Sequence, residues 1–115
     1  MSTTVYGLSI DATDAEKLAR FWAQALGRDL ASGASTEFAT LAPEGGTPRL
    51  SFHQVPEPKT VKNRLHLDLI SSTFDAESRR LLALGATRIR DVEAGSAHWT
   101  TFADPEGNEF DLVAG

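Results

Sequence analysis

The chain has 115 residues and a mass of 12.4 kDa, a length that fits one domain and one hydrophobic core. Hydrophobic residues make up 41% and charged residues 23%, a globular composition and not a disordered one. The formal net charge is −5 and there is no cysteine. The charge argues against nucleic acid and an anionic membrane surface as partners. The missing cysteine excludes disulfides, thiolate zinc sites and cysteine nucleophiles. No apolar run approaches the ~18 residues of a bilayer-spanning helix. Met1 to Tyr6 also lacks the basic-then-apolar pattern of a signal peptide, so the expected location is cytoplasmic.

Val5 to Asp11 alternates with period two, which predicts a half-buried strand. Thr13-Asp14-Ala15-Glu16 reads as a capping box, with the Thr13 hydroxyl on a helix N–H and Glu16 reaching back. Leu18, Trp22, Ala25 and Leu26 then form one apolar helix face, and Gly27 suits the left-handed residue that ends a helix. Leu30 to Ala34, Glu37 to Leu41 and Arg49 to Val55 read as three strands, the first weakly patterned, with Gly45-Gly46 as a hairpin turn. Pro56 to Asn63 reads as a linker. Beyond it, Leu65 to Ile70 is again a strand, and Asp75 to Leu84 a helix with Leu81, Leu82 and Leu84 apolar and Gly85 as its stop. Thr87 to Val92 and Ser96 to Ala103 follow as strands. Pro105-Glu106-Gly107 is turn chemistry, and Phe110, Leu112 and Val113 mark a closing strand.

These elements repeat. Val5 to Asp11, Asp14-Ala15-Glu16 and Ala25-Leu26-Gly27 recur as Leu65 to Ile70, Asp75-Ala76-Glu77 and Ala83-Leu84-Gly85. Ala42-Pro43-Glu44-Gly45 is echoed by Asp104-Pro105-Glu106-Gly107. The expected fold is therefore α+β: two βαβββ modules in tandem, about 1–57 and about 64–115, forming one domain. Helices outside and wet sheet faces inside give a curved, mostly antiparallel, eight-stranded open barrel around a shared cleft.

Ala19-Arg20-Phe21-Trp22, Leu26-Gly27, the stretch from Lys62 to Leu69, Ala83-Leu84-Gly85-Ala86 and the stretch from Asp104 to Phe110 carry a further signal. Together they resemble the vicinal oxygen chelate superfamily of glyoxalases, extradiol dioxygenases and bleomycin-resistance proteins, and most of all its small glyoxalase-like domain proteins. The resemblance implies a homodimer and a divalent-metal site fed by the first and last strands of each module. Those four positions fall on Gly7, Ser51, His66 and Asp111, of which only His66 and Asp111 are good ligands. His53, on the same strand face as Ser51, could complete a His66, His53, Asp111 set suited to Zn, Fe, Ni or Mn. The preferred reading has no obligatory cofactor, with His66 and Asp111 lining a metal-free pocket.

Alternation places His66, Asp68 and Ile70 on one face and Leu65, Leu67 and Leu69 under the helix, matched in the first module by Gly7, Ser9 and Asp11. An imidazole among carboxylates suits acid–base work with His66 as the catalytic group. A purely structural pairing of Asp68 is an equal reading. Phe38, Phe52 and Phe102 are core by default, and Trp99 is core or a cleft wall. His98 reads as an edge residue. Lys59, Lys62 and Arg64 read as solvated, with reception of a substrate anion as the alternative. The favoured function is binding of a small organic molecule by His66, Asp111, Ser51, Asp68 and Trp99. The alternatives are a divergent metal-dependent lyase, isomerase or dioxygenase, and a metal-free enzyme with His66 as base.

Overall fold

The computed structural model describes residues 2–115. Its elements are β1 (Gly7–Ala12), α1 (Ala15–Leu26), β2 (Phe38–Leu41), β3 (Arg49–Gln54), β4 (Asp68–Ser71), α2 (Phe74–Leu84), β5 (Thr87–Ala94), β6 (Ala97–Ala103) and β7 (Glu109–Ala114). They divide between two compact units, the first ending at Pro58 and the second running Lys59–Gly115. The class is α+β, as expected. Both sheets are mixed and neither closes into a barrel.

In the first unit the sheet order is β1-β3-β2, with β1 parallel and β2 antiparallel to β3. Alternation turns Ala12, Ala39, Leu41, Leu50 and Phe52 onto one face, where they are buried with Leu18, Phe21 and Trp22 of α1. The helix starts one residue later than the capping-box reading requires. Asp14, with extended backbone, is the N-cap and accepts from Lys17 N at 3.1 Å. Glu16 is thereby turned outward to pair with Arg20. Gly27 ends the helix at φ 65°, as its sequence position suggests.

Arg28, next along the chain, is buried. Its Nη2 donates to the carbonyls of Leu41 (3.2 Å), Ala42 and Pro48 (3.0 Å), tying down both ends of the β2–β3 connection. Seven strands are present among the described residues, not eight. The expected strand at Leu30 to Ala34 is reduced to one isolated bridge between Leu30 and Leu41. Ala31-Ser32-Gly33-Ala34 offers no β-branched side chain to pack, and Gly33 turns the backbone to φ 89°.

The second unit has the order β4-β7-β6-β5, with β4 parallel to β7 and the other pairs antiparallel. Phe102, Phe110, Leu112 and Thr100 face Leu81 of α2 in its core. Strand β4 begins three residues later than expected, and Leu65, expected under the helix, is 80% exposed. The cause lies in the linker. Asn63 Oδ1 accepts from Glu109 N at 2.9 Å, taking the donor that a longer first strand would have used. The ladder resumes where Asp111 N donates to Leu67 O at 3.0 Å.

No helix among the described residues is long and apolar enough to cross a membrane.

Candidate functional site

Register fixes which side chains share the helix-free face of the second sheet. Asp68 is opposite Asp111, Asp111 opposite Thr101, and Trp99 opposite both Val92 and Val113. Paired residues point the same way, so Asp68, Asp111, Thr101 and Trp99 lie on one face, away from Phe102, Phe110 and Leu112. His66 stands in the segment entering β4, one alternation before Asp68, and joins them.

The ligand-type atoms of His66, Asp68 and Asp111 all lie within 4.8 Å of one another. His66 Nδ1 is 3.0 Å from Asp68 Oδ1. In the neutral imidazole a proton on Nδ1 for that bond leaves the lone pair on Nε2. His66 and Asp68 are exposed and Asp111 is half-buried, so the group is open to solvent on one side. Asp111 is anchored from beneath: Thr101, only 3% exposed, donates its hydroxyl to Asp111 Oδ1 at 2.6 Å. Lys62 lowers the pKa of Glu109, at the start of the same strand, through a 2.5 Å hydrogen bond. Lys62 is therefore committed to an ion pair. Thr101 was not singled out in the sequence, where only its position opposite Asp111 would have marked it.

The first unit carries the same pattern with different chemistry. Ser9 and Thr40 are both opposite Ser51, and Gly7 is opposite Arg49. Register thus equates Gly7 with His66, Ser9 with Asp68, Ser51 with Asp111 and Thr40 with Thr101. Thr40 Oγ1 and Ser51 Oγ are 3.5 Å apart, a weak counterpart of the Thr101–Asp111 bond. A side chain at Gly7 has no room, because a Cβ there would lie 2.8 Å from the Arg49 carbonyl oxygen and 3.1 Å from Arg49 Cβ. His53 lies in this unit on β3, its ring 5.1 Å from that of Phe38. Phe38 is exposed, and Phe52 and Phe102 are core. His98 packs its ring 4.5 Å from Phe74 at the start of α2.

The Asp104 to Asn108 stretch is structural. Asp104, 3% exposed, accepts from Glu106 N (2.9 Å), Asn108 N (2.9 Å) and Asn108 Nδ2 (3.1 Å). An open concavity of about 590 Å³ lies in the first unit, lined by Tyr6, Pro43, Gly45, Thr47 and Pro48 among others. None of the site residues expected from the sequence lines it.

A family model for the glyoxalase-like domain matches residues 7–113. No curated protein matches the sequence significantly. Several solved structures share the fold. A glyoxalase/bleomycin resistance protein/dioxygenase family enzyme from Burkholderia phytofirmans PsJN is 21% identical, with TM-score 0.76, covering 96% of this chain and 98% of that one. A variant of the fosfomycin resistance protein FosX from Listeria monocytogenes, complexed with Mn(II) and a dihydroxypropylphosphonic acid, is 15% identical. Its TM-score is 0.80, over 100% of this chain and 92% of that one. The oxidase ChaP-H2 is 19% identical, with TM-score 0.73 and coverage of 100% and 95%.

Proposed function

The chain belongs to the glyoxalase-like domain family, and we propose that it binds a small organic molecule over the helix-free face of the sheet in its second unit. The observation that carries this reading is the convergence of His66, Asp68 and Asp111 on such a face. Open, polar and rooted on a sheet, the group offers acceptors and an imidazole without needing to rearrange. The ligand's proton-donating end goes to this group. Trp99 forms a wall on the same face as Asp111.

Titration with a panel of small hydroxy and keto acids, followed by backbone amide shifts, tests this. His66 and Asp111 should be among the residues most perturbed. Shifts concentrated on α1 and α2 would overturn the assignment.

The same convergence favours a second reading, a metal-dependent lyase, isomerase or dioxygenase. The donor set fits a divalent first-row cation: one imidazole and two carboxylates, with a buried hydroxyl orienting one of them. His66, Asp68 and Asp111 would hold it, with Asp68 in the role that the sequence assigned to His53. Bound there, such an ion would supply Lewis-acid chemistry toward paired substrate oxygens.

We also read the protein as a cytoplasmic homodimer, nothing in its composition demanding an oxidising compartment. Support for the dimer comes from the second unit, where Val61, Leu65 and Ile70 are 75%, 80% and 73% exposed and Ile70 lies on the edge strand β4. Exposed apolar side chains and an open strand edge both call for cover. Sedimentation at micromolar concentration should report a dimer, and a purely monomeric boundary would refute it.

A further inference from the structure

Arg49 is the basic residue that the first unit places on the helix-free face of its sheet, a face that also carries the exposed Asp11. Arg49 occupies the first position of β3, opposite Gly7. Because Leu50 and Phe52 are buried against α1, Arg49 and Ser51 point to the helix-free face. The missing side chain at Gly7 is what lets Arg49 lie there, since the two Cβ positions would be 3.1 Å apart. The guanidinium carbon sits 4.9 Å from the centroid of the Tyr6 ring. That contact restrains a long side chain while satisfying none of its N–H donors. The Nε–H is shielded from solvent and has no hydrogen-bond acceptor. No carboxylate forms an ion pair with Arg49 among the described residues.

A restrained, partly dehydrated guanidinium with open donors is suited to a planar or tetrahedral oxyanion, which it binds through two parallel N–H groups. The hydroxyls of Ser9 and Ser51, opposite one another on the same face, can donate to the same group. We propose that Arg49, seated beside Gly7 and held on Tyr6, forms with Ser9 and Ser51 an oxyanion subsite that selects ligands bearing a carboxylate or a phosphonate. Gly7, Ser9 and Ser51 thus replace ligand chemistry with anion chemistry in this unit. The subsite rests on the reading of the helix-free sheet faces as ligand-binding surfaces, and it names the class of molecule that the first unit's face takes.

The test uses methylphosphonate and acetate as probes, with acetamide as the uncharged control. The readouts are the Arg49 side-chain Nε–H resonance and the amides of Ser9 and Ser51. Both anions should shift these signals saturably and acetamide should not. Arg49→Met should weaken anion affinity roughly tenfold or more. Arg49→Lys should recover part of it, and Arg79→Met, an exposed arginine on α2, should leave it unchanged. Matching thermal melts of the Lys and Met variants exclude unfolding as the cause. Anion binding unaffected by Arg49→Met, or equal response to acetamide, would overturn the subsite. If the anions then perturb only His66 and Asp111, the ligand-binding reading of the second unit's face stands and the subsite alone fails. If no signal on either face responds, both fail.

Discussion

Replacing Asp104 with alanine should destabilise the protein by about 2–5 kcal/mol, a large share of the roughly 5–15 kcal/mol that holds a small domain folded. The carboxylate is almost fully buried and accepts three N–H groups, two of them backbone donors of the β6–β7 connection. Alanine removes the acceptor and leaves Glu106 N and Asn108 N, on half-buried residues, without it, at up to about 1–3 kcal/mol each. Asp104→Asn should cost less. Glu106 N and Asn108 N both bond Oδ1, which an amide oxygen can replace, whereas the Asn108 Nδ2 bond to Oδ2 would meet an amide nitrogen. Urea titration should show the midpoint falling in the order wild type, Asn, Ala, with the slope unchanged.

The two tryptophans extend this experiment. Trp22 is buried in the first unit and Trp99 lies on β6 of the second. Single-tryptophan variants made by Trp22→Phe and Trp99→Phe report the units separately. If the units form one cooperative domain, Asp104→Ala lowers both midpoints together. A first unit that keeps its wild-type midpoint would refute the one-domain reading, and two unchanged midpoints would refute the role given to Asp104.

The repeat was legible because it is written in sidedness. Alternation at Val5 to Asp11 and the spacing of Leu18, Trp22 and Ala25 fix which face each element buries, and register then equates Gly7 with His66 and Ser51 with Asp111. What could not be read depends on atoms far apart in sequence. Asn63 cuts β4 short by taking the Glu109 N–H, a bond across the whole second unit that no local pattern encodes. Asp104-Pro105-Glu106-Gly107 is recognisable as a turn, but not the depth of its carboxylate. Thr13 and Asp14 are both good caps, and it is Asp14 that takes the extended backbone and accepts from Lys17 N. In the site, Asp68 was visible by alternation. Arg49 was not, because a basic residue opening a strand resembles any solvated edge until Gly7 is found opposite it.

Manganese should bind to the His66, Asp68, Asp111 group, and His66→Ala or Asp111→Ala should weaken that binding roughly a hundredfold or abolish it. Three donors are the fewest that hold a cation in defined geometry with positions left for substrate, so losing one leaves only a pair of groups. Thr101→Val acts one bond further out. It keeps the shape of the side chain but removes the hydroxyl that fixes Asp111, and it should weaken binding about tenfold. Protons compete with the cation for these donor atoms, so affinity should fall on acidification. Two readouts are independent of any reaction. Paramagnetic broadening should begin at His66, Asp68, Thr101 and Asp111. The folded state should gain about 2.7 kcal/mol when metal is a hundredfold above its dissociation constant. The net charge of −5 attracts cations everywhere on the surface, so specificity decides the matter. Broadening spread over acidic residues in general, or left intact by His66→Ala, would refute the metal reading. His66 would then act through its bond to Asp68 on a metal-free sheet face.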